Sequence, residues 1–177
     1  MKKTLLIFLL PFLTFVACNN QSSKEDSIEK INKLESQVFA QKTAIVNIDL
    51  ANSLIKEYEL FAESFKGDSL SPNYLFKAGE ILMNIKSSEQ AIMCFGKIVK
   101  EYPKYNKVGD CVFLQAFIYE TQLNNNDMAK GFYEKFLNDY PNHQLADDAK
   151  ASIDNLGKSL EDIVKGFEEK AAQDSVK

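Results

Sequence analysis

The sequence predicts an all-α fold: a solenoid of antiparallel helix pairs with a leading helix before it and a C-terminal capping helix after it. Three observations carry that prediction. Apolar residues recur at three- and four-residue spacing from Ala51 to Phe167, the period of one helical face. No stretch of useful length between them alternates as a strand would. The motif Ala91-x3-Phe95-x2-Ile98-x3-Tyr102-Pro103 returns as Ala129-x3-Tyr133-x2-Phe136-x3-Tyr140-Pro141 at a displacement of 38, and a fixed period with two helices per unit marks a solenoid.

Residues 1–17 read as a signal peptide. Lys2 and Lys3 precede an apolar run, Leu5 to Val16, that would reach only about 18 Å as a helix against roughly 30 Å of bilayer core. A basic start, a short apolar core and a small residue before the cut are the parts of an export signal. Phe15-Val16-Ala17-Cys18 resembles the lipobox of bacterial lipoproteins, in which cleavage precedes a cysteine that receives lipid. That makes Cys18 the expected lipidation site, with ordinary signal cleavage nearby as the alternative. Residues 18–23 form a polar tether. The mature chain would have 160 residues (177 less 17), and because two lysines and no acids leave, its net charge would move from −4 to −6. Attachment to the membrane then rests on acyl chains, not on a basic patch. The resemblance further implies Gram-negative sorting. Asn19 after the cysteine favours the outer membrane, facing the periplasm, while Lys24-Glu25-Asp26 is either more tether or a surface-export signal.

Residues 24–48 are the leading helix and linker. Ile28, Ile31, Leu34, Val38 and Gln41 fall near a seven-residue rhythm that is shorter than the three or four heptads of a lasting coiled coil. The segment therefore either supports a weak homo-oligomer through residues 24–41, or lies against the solenoid, or simply leads away from the tether. The β-branched run Ile45-Val46-Asn47-Ile48 predicts a break before Asp49.

Residues 49–157 carry the repeated helices. Ala51, Leu54, Ile55, Tyr58, Phe61, Ala62 and Phe65 line the first, ended by Gly67-Asp68. Ser71-Pro72 supplies an N-cap and a proline at the first helical position for a face of Leu75, Ala78, Leu82 and Ile85. Ser87 and Gln90 form the expected capping box of the next helix, which Pro103 stops. Val112, Phe113, Ala116, Tyr119 and Leu123 make another face, Asn124-Asn125-Asn126 turns the chain, and Pro141 ends the helix that follows. Leu145, Ala149, Ile153 and Leu156 give one more, closed by Gly157. In residues 158–177, Ser159 with Asp162 caps a last helix carrying Leu160, Ile163, Val164 and Phe167.

These residues resemble the tetratricopeptide repeat. Leu75, Ala78, Gly79 and Leu82 fall on its first-helix positions, and Ala91, Phe95, Ile98 and Pro103 on those of the second. In the next unit Ala129, Tyr133, Phe136 and Pro141 fit the second helix, and Ala116 and Tyr119 fit the first if the Asn-rich turn has gained one residue. Small residues let paired helices approach to about 8 Å, which assigns Gly79, Ala91, Ala116 and Ala129 to repeat packing, together with the recurring aromatics Phe95 and Tyr133. Tyr58, Phe61 and Phe65 echo a weaker leading unit. The chain is similar to the small repeat-bearing lipoproteins of the bacterial envelope, such as BamD-type assembly lipoproteins and periplasmic coordinators of the Tol-Pal system, and is shorter than the BamD type.

The resemblance implies binding of a protein partner in a groove lined by first helices. Its positions would be Asn73, Phe76, Glu80 and Met83, then Asp110, Phe113, Phe117 and Glu120. Aromatic and Met side chains beside acids suit an apolar or mildly basic segment, although Phe113 and Phe117 could equally pack on the next helix. The sequence has one His, no Trp and no Arg, which argues against nucleic-acid recognition. His143 reads as a solvated residue of a helix start, Asp147-Asp148 as a favourable first turn, and Cys94 and Cys111 as small buried apolar residues that do not pair. No catalytic, metal or cofactor motif is present. The expected function is that of a non-enzymatic lipid-anchored adaptor in outer-membrane assembly or envelope maintenance. The alternatives are a structural lipoprotein self-associating through residues 24–41 and an accessory lipoprotein of nutrient uptake.

Overall fold

In the computed structural model, which describes residues 23–40 and 47–174, the chain forms eight helices and, among those residues, no strand. They are α1 (Lys24–Phe39), α2 (Ile48–Ser64), α3 (Leu70–Asn84), α4 (Ser88–Glu101), α5 (Val108–Thr121), α6 (Asn126–Asp139), α7 (Ala146–Asn155) and α8 (Leu160–Asp174). From α1 to α7 each helix packs on the next, the sequential stacking of a helix-pair solenoid. No described helix is long and apolar enough to cross a membrane. The signal peptide, Cys18, most of the tether and Ile45-Val46 lie outside the described residues.

The leading helix belongs to the stack. Ile31 is fully buried, and Ile28, Leu34 and Val38 pack against the core formed with α2 to α5. Ile28, Ile31, Leu34 and Val38 of the heptad-like stripe are thus packed within the molecule, and Gln41 lies outside the described residues. Polar ties hold the same joint: Lys30 pairs with Glu57 at 2.7 Å, and Glu35 Oε1 accepts from both Tyr58 Oη at 2.6 Å and Lys77 Nζ at 2.7 Å. Burial pulls the Glu35 carboxyl upward, but those two hydrogen bonds overcome it and hold the group below the usual carboxylate range. Lys24-Glu25-Asp26 is the first turn of α1, not tether, because Ser23 and Asp26 form a reciprocal capping box.

Three turns between hairpins are built alike. Phe65, Tyr102 and Tyr140 end α2, α4 and α6 with near-identical backbone angles. Their carbonyls accept from the N–H three residues on, at Asp68, Tyr105 and His143, over 2.9, 2.9 and 3.1 Å. Within hairpins the turns differ by one residue. The Ser87 N–H bonds Leu82 O at 2.9 Å and the Lys86 N–H bonds Met83 O, a Schellman pair with Lys86 in the left-handed region. In the next hairpin the Asn125 N–H reaches Tyr119 O at 2.8 Å, one residue further, with Asn124 left-handed. The extra residue of the Asn-rich turn is located there, so first helices repeat at 37 residues (Gly79 to Ala116) and second helices at 38 (Phe95 to Tyr133).

Two local expectations are corrected. Helix α3 starts at Leu70, since Asp68 Oδ1 already accepts its N–H at 2.9 Å; Ser71, buried, instead donates to Phe65 O at 2.6 Å. Ser87 precedes α4 without a side-chain cap, because the Schellman turn holds its backbone at φ −87° and ψ 63°, outside the extended geometry a capping box needs. The box expected at Ser159 and Asp162 is present.

Candidate protein-binding surface

The repeat-packing residues meet as pairs. A Cβ on Gly79 would lie 2.6 Å from the Phe95 ring, so α3 and α4 touch where only a hydrogen fits. Ala91, Phe95, Ala116, Ala129 and Tyr133 are all fully buried. The aromatic geometry recurs with them. Phe76 meets Phe95 edge-on at 5.7 Å and 62°, and Phe113 meets Tyr133 at 5.4 Å and 63°.

That recurrence disposes of part of the expected groove. Phe76 is 5% exposed, turned between Phe95 and Tyr105 under the Lys107 ammonium, which sits 4.3 Å from its ring centroid. Phe113 is half-buried against Tyr133 and Phe136, and Met83 is half-buried against the core. These three are packing residues because α5 is apolar all round and α3 nearly so, with neighbours on both sides. Asn73, Glu80 and Phe117 are exposed, Phe117 at 38%. Asn73 accepts a hydrogen bond from Tyr105 Oη at 2.7 Å, and Glu120 accepts one from Tyr133 Oη at 2.6 Å. Asp110 lies 3.8 Å from His143 Nε2. His143 is packed, not solvated: its ring meets Phe136 edge-on and its Nδ1 accepts the Leu145 N–H at 3.2 Å.

A different surface is open. Between the second helices α2 and α4 runs a groove of about 760 Å³. Its floor is Ile55, Leu75 and Cys94, and its rim includes Lys56, Leu60, Met93 and Lys97. Leu60 is 48% and Met93 72% exposed, the adaptable, apolar kind of contact that partner surfaces use. Glu63 closes one end, held below the usual carboxylate range by hydrogen bonds from Lys66 and Lys97. Cys94 Sγ lies 3.7 Å from Glu59 Oε1, and burial, with that carboxylate beside it, pushes the thiol up to about 12, so it contributes as an apolar group. The sequence signal for this groove is that Leu60 and Met93 stand off their helices' buried stripes.

A family model described as a tetratricopeptide repeat matches residues 74–105 and 110–143. These are the hairpins α3/α4 and α5/α6, each with the turn that follows. Those two stretches, 66 of the 177 residues, are similar to tetratricopeptide repeats. The hairpin α1/α2 lies outside the matched residues and shares their turn geometry at Phe65. Among curated proteins none matches. The α2/α4 groove lies between the first matched stretch and the hairpin that precedes it. Among the described residues no group of three or more His, Cys, Asp or Glu is placed to hold a metal ion.

Proposed function

We propose that this protein is a non-enzymatic, lipid-anchored adaptor that holds a protein partner in the bacterial envelope, in outer-membrane assembly or envelope maintenance. The observation that carries the partner-binding half is the α2/α4 groove, where Leu60 and Met93 remain in water beside an apolar floor; an exposed cluster of this kind on a repeat solenoid is stabilised by covering it. The anchoring half rests on Lys2-Lys3, the apolar run to Val16, and Cys18 after Phe15-Val16-Ala17. At a net charge of −6 the mature chain is repelled by anionic head groups, so attachment falls to the acyl chains.

The test has two arms. A photo-crosslinking residue in place of Lys56, on the rim of the same groove, should trap one partner in native membranes at stoichiometric level when placed in the full-length chain, and Leu60→Glu with Met93→Glu should abolish the adduct while the helical spectrum is kept. Cys18→Ser should release the protein from the membrane fraction. A diffuse crosslinking pattern unaffected by the two Glu substitutions would sink the partner reading, and a Cys18→Ser chain that stays with the membrane would sink the anchor.

A further inference from the structure

We infer that the solenoid stands on its lipid surface on one edge: the edge formed by the turns between hairpins. This rests on the anchoring at Cys18 proposed above. The start of α1 lies on that edge, since Lys24 is ion-paired with Asp68 of the α2–α3 turn. The edge continues through Asn73 and Tyr105, joined at 2.7 Å, to Asp110 and His143 at 3.8 Å. The turns within hairpins lie on the opposite edge, where Ser88 donates to Gln122 at 2.6 Å and Asn126 lies against Gly157.

Chain length selects between the two edges. From Cys18 to Ser23 there are five residue steps, a span of at most about 18 Å. Helix α1 has 16 residues and is about 24 Å long. With the opposite edge down, the start of α1 would stand further from the lipid than the tether reaches. Three exposed lysines, Lys66, Lys104 and Lys107, stand at this end and soften the repulsion that an anionic surface exerts on the acidic chain. Half-buried Tyr105, whose hydroxyl donates to exposed Asn73, lies at the same end and suits the head-group region. The groove between α2 and α4 would then run along the membrane normal and open sideways.

The test places one fluorophore at either end of α4. The lipidated full-length protein, carrying Lys104→Cys or Glu89→Cys, is labelled and reconstituted in phosphatidylethanolamine/phosphatidylglycerol vesicles containing a lipid with a nitroxide on its head group. Cys94 and Cys111 are buried and free, so the introduced thiol takes the label. Quenching at position 104 should exceed that at 89 several-fold. Equal or reversed quenching in a vesicle-bound protein overturns the orientation alone. A protein that does not bind the vesicles overturns the anchor, and the orientation with it.

Discussion

The Tyr133 hydroxyl donates to Glu120 Oε2 at 2.6 Å across the α5/α6 hairpin, and the α3/α4 hairpin has Phe95 and Met83 at the same two places. The hydroxyl and its acceptor are present together in one repeat and absent together in the other. Tyr58 and Glu35 repeat the polar version at 2.6 Å in the first hairpin. Tyr133→Phe should therefore lower stability by about 1 kcal/mol, the net worth of a hydrogen bond. Tyr133→Phe with Glu120→Met should recover most of it, giving a coupling energy in a double-mutant cycle. Urea melts of the four proteins measure it; strict additivity would mean the pair is not coupled.

Gly79 lies against Phe95 with no room for a methyl. Gly79→Ala should cost roughly 1–3 kcal/mol by overpacking, and Gly79→Leu should separate α3 from α4 altogether. Because the ring is the obstacle, Phe95→Leu added to Gly79→Ala should be less damaging than the sum of the two changes. Thermal denaturation followed by circular dichroism decides this.

Lys86 holds φ at 59°, a conformation that costs an L-residue energy and glycine little. Lys86→Gly should raise stability by about 0.5–1 kcal/mol. A lower urea midpoint for the variant would contradict this account of the α3–α4 turn.

Burial pushes Cys94 and Cys111 up to about 12, and Tyr105 likewise up to about 12. Burial, with hydrogen bonds to carboxylates, raises Tyr58 and Tyr133 as well. All five are neutral when protonated, and their folded values lie above the unfolded ones. The unfolded chain therefore loses these protons first, from about pH 8.5 for thiols and about 10 for phenols. Their stabilising contribution is full below those values and is lost as pH rises toward the folded ones. The urea midpoint should be level between about pH 7 and 8 and fall by about pH 10.5. Cys94→Ala with Cys111→Ala should lessen the early part of the fall. At neutral pH a thiol reagent should leave both cysteines unmodified until the chain unfolds.

The helices from Ile48 to Asn155 are legible because proline, glycine and the recurring Ala and aromatic positions mark their ends and faces. The partner surface was less so. In an amphipathic helix such as α4 the stripe identifies the buried side, but α5 is apolar in every direction, and spacing alone cannot separate Phe113, which packs on Tyr133 and Phe136, from Phe117, which is open. The role of α1 was hidden for the opposite reason: a short stripe of Ile28, Ile31, Leu34 and Val38 serves a partner helix in the same chain as well as one in another. At Ser71-Pro72 the local pattern points one residue too late, because Asp68, two residues upstream of the helix it caps, reaches forward to the Leu70 amide.

The buried side chains divide into two clusters, one joining α1 to α5 and one joining α5 to α7, with Val99 and Tyr140 packed against both. A structure organised this way need not melt as a single unit. The smaller cluster at the carboxyl end, held by fewer buried residues, is the natural place for unravelling to begin, with the amino-terminal block keeping its order after the last hairpins have peeled away.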